Sequence, residues 1–332
     1  MTGFQVLADK ALRDEVLTRE ECLAVLQTPD EELLGLLGAA FTVRERYFGR
    51  TVRLQMLLNA KSGACQEDCS YCSQSSISTA EIERYGLLTH EQMVEGARRA
   101  AQAKAQRYCV VISGRSPLDR EIDAIADAVR AIKREVPIQV CCSLGLLNGD
   151  QARSLKAAGV DRINHNLNTS EAYHGAICTT HAFRDRLATI EEARAAGLEI
   201  CSGGIIGMGE RDDDIVDLAF ALRDVKPHSI PLNMLYPVAG TPLGNRPTLT
   251  PQHCLKVLCL FRFLHPRTEL RAAGGREFNL RSLQALALYP ADSLFVGGYL
   301  TTPGQPAAEA WKMIEDLGFE VEIEYGPAAA RA

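Results

Sequence analysis

The sequence predicts a (β/α)8 barrel of the TIM type with an N-terminal helical extension, and three observations carry that prediction. From Val52 onward, short apolar runs rich in branched residues alternate with amphipathic segments of helical length, the pattern of βα units around a parallel sheet. Eight such runs can be counted, at 52–58, 107–112, 138–143, 162–167, 199–206, 229–235, 269–273 and 293–296. No Pro/Gly/Ser-rich linker divides the 332 residues, so one barrel fits better than two doubly wound domains.

Each element has its own justification. In the first fifty residues Leu7, Leu12 and Val16, then Leu23, Leu26, Leu33, Leu34 and Leu37, recur at mixed three and four spacings, which predicts helices. Thr18 followed by Glu21 reads as a capping box for the second of them. Between the strands, helices are expected at 90–105, 119–135, 149–158, 183–196, 212–225 and 251–264. Gly159 and Gly197 stand just after a helix and just before a strand, where a left-handed C-cap is expected. The expected organisation is therefore an extension over 1–50, a barrel over 51–320 and a tail over 321–332.

Thirty-six Lys and Arg against 42 Asp and Glu leave a net charge of −6, too balanced for a nucleic-acid footprint, so the expected partner is a small molecule. No basic segment leads into an apolar run at the start, and no apolar stretch is long enough to span a membrane; the expectation is a cytoplasmic chain with no membrane contact. Eleven cysteines in such a chain point to metal binding or catalysis rather than to a disulfide framework.

In barrels of this kind chemistry gathers at the C-terminal ends of strands. The loop after the first strand holds Cys65, Cys69 and Cys72 at C-x3-C-x2-C spacing, with Tyr71 before the last cysteine. Cysteine thiolates ligate iron–sulfur clusters, and four would close a cubane, so three leave one iron open to a further ligand. The alternative is a structural zinc site completed by a distant Cys or His.

Further cysteines lie in the strands: Cys109 in the second, Cys141 in the third and Cys201 in the fifth, with Arg271 in the seventh. A single strand cysteine is usually a small buried hydrophobe. Strands of a closed barrel point alternate residues into one lumen, so three thiols and a guanidinium from four strands can meet there. A buried Arg271 without partners would be costly, which argues that it faces an anion such as sulfide or thiolate. Cys142 then faces the helices, unless the register is off by one. Cys22, Cys178, Cys254 and Cys259 are expected to be packing residues.

The loop motif resembles the radical S-adenosylmethionine superfamily. The chain as a whole resembles the biotin synthases, through Gly63-Ala64-Cys65 to Ser75-Ser76, Asn164-His165-Asn166-Leu167-Asn168-Thr169-Ser170, Cys201-Ser202-Gly203-Gly204, Pro231-Leu232-Asn233-Met234, Gly275-Arg276-Glu277 and Leu300-Thr301-Thr302-Pro303. The resemblance implies a [4Fe-4S] cluster on Cys65, Cys69 and Cys72 whose open iron takes S-adenosylmethionine, and a 5′-deoxyadenosyl radical from its cleavage. It also implies an auxiliary [2Fe-2S] cluster on Cys109, Cys141, Cys201 and Arg271. Such a sulfurtransferase inserts sulfur between C6 and C9 of dethiobiotin to complete biotin, with the auxiliary cluster as the sulfur source.

By the same resemblance Tyr71 lies near the adenine, Asn166 and Asn168 reach the ribose, and Arg186 binds the methionyl carboxylate. Some relatives carry Asp at position 168, so the Asn here is expected to weaken that contact without removing it. Asn164, Asn166 and Asn233 suit the ureido ring of dethiobiotin, because an amide offers both a donor and an acceptor without bringing charge near a radical. Turn and cap chemistry is the ordinary alternative for such Asn residues. His165 is given no role. The family further implies a homodimer and a flavodoxin- or ferredoxin-type electron donor. A radical enzyme without sulfur insertion need not keep the strand cysteines together with Arg271, and an electron carrier or zinc-stabilised binding module would not need a barrel that buries its metal.

Overall fold

The leucine spacings of the N-terminal region fold as three helices in the computed structural model, which describes residues 3–323: α1 (Gly3–Leu12), α2 (Arg19–Leu26) and α3 (Leu33–Phe48). Thr18 caps α2 by accepting from the Glu21 backbone, while the Glu21 carboxylate receives the Thr18 N–H at 2.8 Å. Arg44 on α3 is fully buried and donates to the carbonyls of Gly49 and Thr51, the latter at 2.7 Å, which fastens the extension to the start of the first strand.

The barrel strands are β1 (Thr51–Lys61), β2 (Arg107–Ile112), β3 (Gln139–Ser143), β4 (Arg162–Asn164), β5 (Glu199–Cys201), β6 (Gly204–Ile206), β7 (Ser229–Met234), β8 (Glu269–Ala272) and β9 (Ser293–Phe295). All pair in parallel in the order β1-β2-β3-β4-β5-β7-β8-β9, and β9 returns to β1 to close the ring. Between them run α4 (His90–Gln102), α5 (Asp119–Glu135), α6 (Gly149–Ala158), α7 (Glu171–Ile177), α8 (Phe183–Ala195), α9 (Asp212–Val225), α10 (Pro251–Leu264) and α11 (Arg276–Leu280). The expected (β/α)8 barrel is present, with its helices outside a parallel cylinder.

Two details differ from the sequence expectation. The run 199–206 is not one strand: β5 ends at Cys201 and β6 resumes at Gly204, pairing with β7 and bridged at Gly204 to Asn168. At Gly203 an added Cβ would lie 2.0 Å from the Pro231 carbonyl oxygen, so the backbones approach too closely there for any side chain. At the other end, Val321 is not in a free tail. α12 (Ala307–Asp316) leads to β10 (Glu320–Val321), which pairs with Thr51 and Val52 outside the ring; residues 324–332 lie outside the described residues.

Strand parity places the cysteines. Val110, Val140 and Cys142 belong to the layer packed between sheet and helices, whereas Cys109 and Cys141, each one residue away, turn to the lumen side. Gly159 takes φ 101° and Gly197 φ 78°, the left-handed backbone expected after α6 and α8. No described helix is long and apolar enough to cross a membrane.

Candidate functional site

The loop that follows β1 is folded back on itself at the C-terminal mouth of the barrel. Gly63 and Ala64 both take positive φ, the Gly63 N–H donates to Gln74 Oε1 at 2.9 Å, and tight turns join Cys72 N to Cys69 O at 3.0 Å and Ser75 N to Cys72 O at 3.2 Å. Cys69 is buried and Cys65 and Cys72 are half-buried. All three line a cavity of about 320 Å³ that also takes in His165, Asn168 and Arg186. A second cavity, of about 270 Å³, continues it into the barrel and reaches Cys109, Leu57 and Phe295. Tyr71, Cys72, Asn164, Asn166, Ile205 and Asn233 line both.

Polar side chains lining the two cavities have unequal freedom. Arg186 donates from Nη1 to the Asn166 carbonyl at 2.9 Å, while its buried Nε has no partner, which leaves a guanidinium edge suited to a carboxylate. Asn168, at φ 73°, donates its amide to the Tyr71 hydroxyl at 2.7 Å and thereby fixes the aromatic ring against the loop. Asn166 accepts from Gly203 N at 3.1 Å, so one amide end positions the β5–β6 break and the other stays available. Asn233 donates to the Gly204 carbonyl at 3.1 Å and accepts from Gly274 N at 3.0 Å, and each end keeps capacity for one more bond. His165 is buried with Nε2 unpartnered, and burial holds its pKa well below the ordinary histidine value, so the ring is neutral.

Deeper in the lumen the other predicted ligands converge. Cys109 pairs with Cys141 in register, Cys201 pairs with Ser229, and Arg271 Nη1 lies 3.8 Å from Cys201 Sγ. Arg271 is fully buried but not short of partners: Nη2 donates to Ser229 Oγ at 2.8 Å and Glu269 at 2.6 Å, and Nε to Ser293 Oγ at 3.1 Å. The anion expected opposite Arg271 is thus a carboxylate as well as a thiol. Glu269 also takes Arg162 at 3.0 Å and Arg107 at 3.4 Å, and Arg162 bonds Glu199 at 2.6 Å. Three guanidiniums against two carboxylates leave one surplus positive charge beneath the cysteines. The Cys109 thiol and the guanidiniums of Arg107, Arg162 and Arg271 pull the Cys141 thiol below its ordinary pKa against the effect of burial. The neighbouring Cys141 and burial raise the Cys109 thiol, and burial raises that of Cys201, so the set is three thiols over a cationic floor; such a donor set suits an anionic iron–sulfur cluster, and three half-buried to buried thiols at the mouth suit a second one.

The floor residues Arg107, Arg162 and Glu269 were not singled out by sequence. Their signal was nevertheless present, because Arg107 stands two residues before Cys109 and Glu269 two before Arg271, on the same strand face. Cys178 packs as expected, in a buried cluster with Ile177, Met208 and Leu235. Its Sγ lies 3.7 Å from that of Cys69, because the turn after α7 folds over the motif loop.

Two family models match the chain: the radical SAM superfamily over residues 60–222, and the biotin and thiamin synthesis associated domain over residues 231–320. The chain is 50% identical over 329 residues to the biotin synthase of Geobacillus kaustophilus (strain HTA426), covering 99% of each chain. It is 50% identical over 322 residues to that of Bacillus subtilis (strain 168), covering 97% of this chain and 96% of the relative. Among solved structures, methylornithine synthase superposes with a TM-score of 0.83 at 20% identity, covering 95% of this chain and 97% of that one. The FeFe-hydrogenase maturase HydG from Carboxydothermus hydrogenoformans superposes at 0.81 and 20% identity, covering 99% and 80%. At that identity the likeness is one of fold.

Proposed function

The chain belongs to the biotin synthase family of radical S-adenosylmethionine enzymes, and from that membership we infer how its own residues divide the family's reaction, the insertion of sulfur into dethiobiotin. When bound, a [4Fe-4S] cluster with S-adenosylmethionine supplies the radical chemistry and an auxiliary [2Fe-2S] cluster supplies the sulfur. Cys65, Cys69 and Cys72 would hold the first cluster; Cys109, Cys141, Cys201 and Arg271 would hold the second. The observation that carries this division is the continuous cavity, lined by the motif cysteines at its mouth and by Cys109 at its depth.

The remaining residues bind, orient and exclude. Arg186 presents its unpartnered edge to the methionyl carboxylate, and Asn166 and Asn168 meet the ribose hydroxyls beside Tyr71. Asn168 donates one of its two amide N–H groups to Tyr71, and its carbonyl oxygen is the group that can accept from the ribose. Asn164, Asn166 and Asn233 surround the middle of the cavity, where the ureido ring would find uncharged donors and acceptors. Leu57, Val111, Ile205 and Phe295 line the deeper part and keep water from the substrate carbons. Neutral His165 adds no charge there. The extension over 1–50 and the barrel over 51–320 divide the chain, with Val321 paired back onto the first strand. A flavodoxin- or ferredoxin-type donor, a homodimer and a cytoplasmic setting complete the reading; thiols kept as ligands need a reducing compartment.

The test is an anaerobic incubation of the protein, reconstituted with iron and sulfide, with dethiobiotin, S-adenosylmethionine and dithionite, followed by mass spectrometry for biotin. Cys65→Ala should abolish cleavage of S-adenosylmethionine. Cys201→Ala should leave cleavage to methionine and 5′-deoxyadenosine intact and stop biotin formation. Biotin from Cys201→Ala, or iron and sulfide sufficient for only one cluster in an enzyme that still makes biotin, would overturn the ligand assignment.

A further inference from the structure

The turn after α7 brings a second set of metal-binding side chains against the motif loop. Cys178 Sγ lies 3.7 Å from Cys69 Sγ, 3.2 Å from Asp68 Oδ1, and 3.3 and 3.8 Å from Nδ1 and Nε2 of His181. Ligand atoms of Cys69, Cys178 and His181 all fall within 4.8 Å of one another, and all three residues are buried. A tetrahedral zinc centre has metal–sulfur bonds of about 2.3 Å and metal–nitrogen bonds of about 2.1 Å, which sets sulfur–sulfur edges of about 3.8 Å and sulfur–nitrogen edges of about 3.6 Å. The Cys69–Cys178 sulfur spacing of 3.7 Å and the Cys178 sulfur to Nε2 spacing of 3.8 Å are close to such edges.

Surrounding residues hold the set in place. His181 Nδ1 is engaged by Glu67 Oε2, which leaves Nε2 as the ligating nitrogen and reproduces the carboxylate–histidine–metal relay that orients many metal-bound imidazoles. Arg115 in turn holds Glu67 at 2.8 Å. Asp68 Oδ1 accepts from the backbone N–H groups of Thr179 at 2.9 Å and Thr180 at 3.2 Å, which fixes the turn that carries Cys178. Two thiol sulfurs and an imidazole select a borderline-soft divalent cation and discriminate against magnesium or calcium.

We propose that Cys69, Cys178 and His181 form a site for one divalent zinc-class cation in the cluster-free chain, with the fourth position open to water. Cys69 belongs to this site and to the C-x3-C-x2-C motif, so a cation held here withdraws one of the three thiols that the mouth cluster needs. The site itself stands independently of the sulfur-insertion reading; only the competition for Cys69 rests on it.

The full-length chain, stripped of metal by a chelator under reducing, anaerobic conditions, is titrated with cobalt(II) as the probe. One equivalent should bind with thiolate-to-cobalt charge-transfer bands and tetrahedral visible bands, and one equivalent of zinc should erase them. Cys178→Ala and Cys178→Ser should weaken cobalt by more than about tenfold, with far-UV circular dichroism confirming an unchanged fold. Zinc preloading should block assembly of the mouth cluster on iron and sulfide in the wild type, read by its visible absorbance, and should have no such effect in Cys178→Ala. Cobalt bands that survive both Cys178 substitutions, or that vanish only when Cys65 or Cys72 is replaced, would overturn the site. A mouth cluster that fails to assemble in zinc-free wild type and Cys178→Ala alike would instead count against the cluster reading, with the cobalt result still deciding the site.

Discussion

Glu269 shows how much a single buried residue can carry. Its carboxylate, 3% exposed, accepts from Arg271 at 2.6 Å, Arg162 at 3.0 Å and Arg107 at 3.4 Å, and also from Gln55. Burial alone would raise its pKa, but Arg271, Arg162, Arg107 and Arg53 together hold it well below the usual carboxylate range. Glu269→Gln keeps the shape and leaves buried guanidiniums without their common counter-ion, so it should destabilise the fold by about 3–5 kcal/mol. Denaturant midpoints measure this, and a loss below about 1 kcal/mol would mean that the guanidiniums are neutralised some other way. The ligand candidates and Glu269 were unequally visible beforehand for a physical reason. Cys109, Cys141 and Cys201 stood out because cysteine is rare and its chemistry narrow, whereas a charged residue in a strand is usually solvent-facing, and only the shared parity of Glu269 with Arg271 points inward. The contact of Cys178 with Cys69 could not be read from sequence, because Cys69 lies 109 positions earlier.

At the scale of elements, period and capping located most of the chain. α5, α6, α9 and α10 run over the residues expected, the first three because each has an amphipathic face and clear end signals, α10 because Thr250 and Pro251 mark its start. α7 was missed: it has seven residues, of which only His174 and Ile177 are buried, too few to set a helical period. The break between β5 and β6 was missed because a glycine pair inside an apolar run looks like a continued strand. Its cause is tertiary, the approach of the Pro231 carbonyl to Gly203, and the consequence is functional, since the break receives Asn166 and ends β5 at Cys201. Gly203→Ala places a methyl against a backbone oxygen that cannot rotate away. It should cost about 3 kcal/mol of stability by overpacking. Gly86→Ala, where an added Cβ meets nothing within 4 Å, is the control and should change the midpoint little. Equal midpoints for the two variants would show that β5 and β6 can shift to relieve the contact.

For the whole molecule, α10 is the keystone between barrel and extension, buried along nearly its full length and packed on α2, α3 and α9. Its C-terminal His265 donates from Nε2 to the Ala219 carbonyl of α9 at 3.1 Å, and burial lowers its pKa to about 3. In the unfolded chain the same imidazole titrates near its ordinary value of about 6.5, so between those values the unfolded state binds the extra proton. Stability from this residue is therefore complete above about 6.5 and is lost as the pH falls toward about 3; at pH 5 the loss is on the order of 2 kcal/mol. The lowered carboxyls of Glu269, Glu199 and Glu67 act in the same direction, since they too must take up protons on unfolding. His265→Gln keeps an N–H for Ala219 without a titrating group, so its unfolding free energy should fall less steeply between pH 7 and 5 than the wild type's. Because the α9–α10 seam joins both parts, the fluorescence of Trp311 on α12 and the helical circular dichroism should also lose signal in one coincident acid transition. Parallel pH slopes for the two proteins would remove His265 from the account, and separated transitions would show that extension and barrel do not stand or fall together.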